Sequence, residues 1–132
     1  MNAGLQAFAA YRETNAATAI MDASPHQLTA LLFKALLDKL AIAEGAIGRG
    51  DVPSKCDSIS KANNILMELK STLDLTNGGQ IADELDRLYE FSISGLLDAN
   101  LQDSVEKIRS VRAVMSEVNE AWIQIAPARG DG

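Results

Sequence analysis

Few residues in this chain can do chemistry: among 132 there is one histidine and one cysteine. His26 raises phosphotransfer, which needs an exposed histidine in mid-helix with lysine and glycine nearby. Instead His26 is followed by Gln27, Leu28, Thr29 and Ala30 in what reads as a helix's first turn. An ordinary surface role is expected. A di-iron bundle wants two Glu-x-x-His pairs, which a single histidine cannot supply. Cys56 falls on an apolar stripe and is expected to be a small buried hydrophobe, with no histidine placed to activate it. Gly48-Arg49-Gly50 lacks the Lys-Ser/Thr ending and the preceding strand of a phosphate loop. Arg-Gly-Asp occurs at 49–51 and again at 129–131, once as a helix terminator and once in a tail. These residues point to no catalytic group, no cofactor and no metal site.

Bulk composition narrows the class further. Hydrophobic residues make up 47% and charged residues 23%, the balance of a globular domain. A net charge of −6 with no Lys/Arg stripe argues against nucleic acid and against an anionic membrane surface. Charges interrupt every apolar run, so no membrane insertion is expected. The first ten residues lack a signal peptide's basic start and apolar block, and a lone cysteine fits a reducing compartment. A cytoplasmic protein is expected.

The elements that must position these residues are helical. Ser24-Pro25-His26-Gln27 combines a capping serine, a first-turn proline and a capping-box glutamine. Behind it Leu28, Leu32, Ala35, Leu36, Leu40, Ala43 and Ile47 recur at helical steps until Gly48 and Gly50. A second helix starts near Asp51 to Ser54 on the stripe Cys56, Ile59, Ala62, Leu66, Leu69 and Leu73. Asn77-Gly78-Gly79 then breaks the chain. A third carries Ile81, Leu85, Leu88, Ser92, Leu96 and Ala99. Asp103 with Glu106 reads as another capping box, opening a fourth helix with Ile108, Val111, Met115, Val118, Trp122 and Ile125. Four helices of ~22–24 residues joined by short loops predict an all-α, antiparallel up-down-up-down four-helix bundle. Its expected bounds are 24–126, between a partly ordered N-terminal cap segment (1–23) and a disordered tail (127–132).

Apolar residues remain after one face per helix is assigned. A bundle helix needs a face roughly three residues in seven wide. Phe33 and Leu37 fall off the stripe of the first helix, Ile65 is extra in the second, and Tyr89, Ile93 and Leu97 form a second stripe in the third. Val114 adds to the fourth. If these stay outside the core they make a groove for partner helices. Residues 1–23 carry Leu5, Phe8 and Tyr11, too weak for an independent helix yet apolar enough to lie on the bundle as a cap. Asp83, Glu84, Asp86, Glu90 and Asp98 give the third helix an acidic outer side, expected to be a solvated face, with steering or registering a partner as the alternative.

The pattern resembles the flagellin export chaperones of bacterial flagellar systems. The resemblance covers about Tyr11 to Trp122. It rests on Tyr11, on Ala23-Ser24-Pro25 with Leu28, on Leu32-Phe33, and on Ala43, Ile47 and Gly50-Asp51. It continues through Lys61-Ala62, Ile65 and Leu69, then Leu73-Asp74, Gly78-Gly79-x-Ile81-Ala82 and Leu85-x-x-Leu88-Tyr89, to Ala99-Asn100 and Trp122. What it implies is a helical bundle that binds the disordered C-terminal segment of flagellin, prevents premature polymerisation and meets an export-gate component of the secretion apparatus. It further implies that Tyr11 belongs to a segment capping the binding surface in the free protein. Two departures stand out. Phe33 occupies a place where the family often has tyrosine. After Tyr89, where the family tends to have an aromatic followed by arginines, this chain reads Glu90-Phe91-Ser92-Ile93. Two alternatives stay open: a His26 phosphotransfer bundle, and a structural bundle whose apolar excess forms a weak homodimer.

Overall fold

The computed structural model describes residues 24–125 as four helices: α1 (Pro25–Arg49), α2 (Val52–Ser71), α3 (Gly79–Gln102) and α4 (Val105–Gln124). Local chemistry sets their bounds. The Ser24 hydroxyl accepts from the Gln27 N–H at 3.2 Å while the Gln27 side-chain Oε1 accepts from the Ser24 N–H at 2.8 Å, closing the capping box. Gly50, with φ 69°, ends α1 in the left-handed conformation that glycine adopts without strain. Asp51 caps α2 by accepting from the Ser54 N–H. In the α2–α3 loop, the Asp74 carboxylate accepts from the backbone N–H groups of Asn77 and Thr76, and these bonds, Asn77's first, hold it below the usual carboxylate range. Gly78 is required there because a Cβ would come within 2.4 Å of the Asp74 carbonyl oxygen.

The α3–α4 turn differs from expectation. Ser104, not Asp103, caps α4 by accepting from the Lys107 N–H, and Asp103 ends α3 in the left-handed region with φ 51°. A cap one residue later leaves the Asp103 carboxylate free to meet Lys55 at 2.6 Å.

Cross-helix bonds fix the directions. His26 at the start of α1 meets Trp122 at the end of α4, and Glu44 late in α1 holds Arg109 and Arg112 early in α4. Lys55 opening α2 reaches the end of α3, while Lys70 closing α2 reaches Asp86 near the start of α3. Adjacent helices are therefore antiparallel, and the packing order α1–α2–α3–α4–α1 makes an up-down-up-down bundle.

Leu36, Leu40, Leu66, Leu69, Leu96, Ile108 and Met115 fill the centre. Phe33, Ile65 and Tyr89, which the stripes leave over, are 1%, 1% and 3% exposed and widen the core instead of standing outside it. On a 100° wheel the buried arc of α1 is about 140° wide, enough to take in Phe33. Two further expectations are corrected. Cys56 is exposed, because it lies about 120° from Ala62, the centre of the buried arc of α2, and so outside that arc; Lys55 takes the inward position. Ile81 is 71% exposed, because it sits in the first turn of α3, past the end of α2. Leu5, Phe8 and Tyr11, with the cap segment and the tail, lie outside the described residues.

Candidate functional site

A groove of about 480 Å³ opens between α2 and α3. Its α2 wall is Cys56, Ile59, Ser60 and Asn63, and its α3 wall runs from Glu90 through Ile93, Ser94, Leu96 and Leu97 to Asn100. Ile59 and Leu96 form a buried apolar floor, Ile93 is half-buried, and Leu97 stands as an open shoulder at 59% exposure. Among the described residues the rims are neutral and polar, and Glu90 is the one charged residue in the lining. From Glu90 to Asn100 the α3 wall measures ~15 Å at the standard helical rise. Apolar floor, polar rim and this length suit the side chains of about three turns of a docked helix.

Ion pairs between α2 and α3 bracket the groove. At one end the Lys55 ammonium, nearly buried, donates to the Asn100 carbonyl oxygen at 3.1 Å and pairs with Asp103. Beside it the Cys56 thiol lies 3.9 Å from the Asn100 side-chain oxygen. At the other end Lys70 Nζ sits 3.0 Å from Asp86 and 3.4 Å from Glu90. The bond to Asp86, ahead of the charges of both carboxylates, holds Lys70 above the usual ammonium range. The acidic side of α3 is thus not wholly a solvated face, since two of its carboxylates are tied to α2. A smaller hollow of about 290 Å³ lies between α3 and α4, where Phe91, Gly95 and Asp98 face Lys107 and Ser110.

Of the residues singled out from sequence, the groove brings together Ile93 and Leu97. Leu37 and Val114 are partly buried against the core and line neither hollow. Phe33, Ile65 and Tyr89 lie beneath the surface, and burial pushes the Tyr89 phenol up to about 12. Ser60, Asn63 and Ser94 were missed because a neutral polar residue beside an apolar stripe gives no signal of its own. Asn100 carried one, in the Ala99-Asn100 pair of the family pattern.

His26 is not an ordinary surface residue. Its ring stacks on Trp122 with centroids 4.8 Å apart, Nε2 lies 2.8 Å from the Trp122 carbonyl oxygen, and the indole N–H donates to the His26 carbonyl at 3.0 Å. With Nε2 donating to that carbonyl, the ring clasps α1 to α4 and that nitrogen is occupied. Among the described residues no group of three or more His, Cys, Asp or Glu could hold a metal, and no helix is long and apolar enough to cross a membrane.

The family model described as "Flagellar protein FliS" matches residues 7–129. The chain is similar to a flagellar secretion chaperone FliS of Salmonella typhimurium, 41% identical over 119 residues, covering 89% of this chain and 88% of the relative. It is 36% identical to a flagellar secretion chaperone FliSB of Pseudomonas aeruginosa over 89% of this chain and 94% of that one. It is 26% identical to a FliS of Bacillus subtilis over 89% and 84% respectively.

Proposed function

The chain belongs to the FliS family of flagellar proteins, and from that premise we propose that it is a cytosolic export chaperone whose α2–α3 groove binds the disordered C-terminal segment of flagellin. The groove is the observation that carries this reading: its apolar floor and open Leu97 shoulder run along a bundle face. A disordered client loses chain entropy when it binds, so it needs extended apolar contact to offset that loss. Seated as helix, the client keeps its apolar face covered and cannot polymerise. The relatives' name as secretion chaperones supports delivery to the export apparatus. The sequence carries no phosphate loop, so release is assigned to competition at the export gate, not to hydrolysis.

Mixing the full chain with the C-terminal segment of its native flagellin is expected to raise circular dichroism at helical wavelengths above the sum of the parts. No gain well above micromolar concentration would exclude the proposal.

A further inference from the structure

Resting on the client groove proposed above, we infer that Glu90 orients the docked helix, placing its N-terminus at the Glu90 end and its C-terminus beside Cys56 and Asn100. The groove's electrostatics are uneven along its axis. At the Glu90 end, Lys70, Asp86 and Glu90 form one cluster of contacts at 3.0 and 3.4 Å and sum to a single negative charge. At the other end Lys55 and Asp103, paired at 2.6 Å, sum to zero, and Cys56 and Asn100 are neutral. The Glu90 side chain is 61% exposed, so the unbalanced charge faces whatever occupies the groove.

A helix presents about half a positive charge at its N-terminus and half a negative charge at its C-terminus. Lying in a slot of ~15 Å, about three turns, it puts one of these ends against Glu90. The favourable choice runs parallel to α3 and antiparallel to α2. The difference between the two orientations corresponds to a roughly three- to tenfold preference at low salt.

Cys56, the sole cysteine, is exposed at the neutral end and serves as the reporter. Peptides tiling the C-terminal segment of the native flagellin are made with one added cysteine, at either the N- or the C-terminus, activated as a mixed disulfide. The Cys56 thiolate attacks the peptide's sulfur and expels the activating thiolate, exchanging one disulfide for another. The C-terminally tagged peptide is expected to couple roughly three- to tenfold faster than its N-terminally tagged twin, the ratio that the charge predicts. In Glu90→Gln, which alters one exposed side chain, the ratio is expected to approach one. Equal or reversed rates in the unaltered chain overturn the orientation while leaving the groove as the client's seat. A preference unchanged in Glu90→Gln overturns the role of Glu90. If no tagged peptide couples faster than a scrambled one, the client does not lie in this groove and the reading beneath the inference falls with it.

Discussion

His26 and Trp122 show how little a residue's type says before its partner is known. The histidine lies in the first turn of α1, and only the antiparallel return of α4 brings the indole onto its ring. His26→Ala removes that stack and the Nε2 bond to the Trp122 carbonyl, for an expected loss of ~1–2 kcal/mol in urea unfolding. A surface histidine would lose ~0.5 kcal/mol or less, and that result would contradict the clasp. Tyr89 gives a pH signature. Its phenol is pushed up to about 12 by burial, whereas in the unfolded chain it titrates at ~10. Between these values the folded state holds the proton that the unfolded state has lost, so stability is full below pH ~10 and falls as pH rises toward ~12. The slope is at most ~1.4 kcal/mol per pH unit. Comparing urea midpoints of the unaltered chain and Tyr89→Phe through this window isolates the contribution, since Lys70, also raised, is common to both. Parallel profiles would show that Tyr89 does not titrate as its burial dictates.

Elements were legible where their signals are local and illegible where they depend on a neighbour. The Ser24 box and the Gly50 terminator involve contacts within a turn, and both were readable in order. Asp103 misled because its partner Lys55 is 48 residues away, so a plausible cap was in truth the far end of a cross-helix bond. Cys56 misled because its stripe opens with two successive three-residue steps, to Ile59 and then Ala62, each about 60° short of a full turn, so the first residue falls off the face. Phe33, Ile65 and Tyr89 belong to the core because each falls within or at the edge of its helix's buried arc, beside a stripe that three- and four-residue steps trace too narrowly. The groove was half legible: Ile93 and Leu97 mark its wall, but its neutral rim leaves no pattern. Gly95 tests helix approach directly, since a Cβ there would come within 2.9 Å of Val111 Cγ2. Gly95→Ala is expected to destabilise by ~1 kcal/mol net, overpacking outweighing the gain in helix propensity. In a Val111→Ala background the same change is expected to be neutral or stabilising. Stabilisation in both backgrounds would mean that α3 and α4 are not held this close.

For the whole molecule, four antiparallel helices bury one continuous core and still leave an apolar channel along one of their seams. That combination separates a binding bundle from an inert one, and its central claim is that the flagellin segment sits on the α2–α3 seam and not elsewhere. Leu97 supplies the open shoulder of that groove at 59% exposure, while Ile42 on α1, at 45% exposure, lines neither hollow. Calorimetric titration of the native flagellin C-terminal segment into the unaltered chain, Leu97→Asp and Ile42→Asp tests the claim most directly. Removing a leucine contact of ~1.5–3 kcal/mol predicts at least a roughly tenfold weaker Kd for Leu97→Asp. Ile42→Asp, equally polar and equally placed on the surface, is expected to bind within about twofold of the unaltered chain, the range of most surface changes. Unaltered affinity in Leu97→Asp, or an equal loss in both folded variants, would contradict the assignment of the client to this seam.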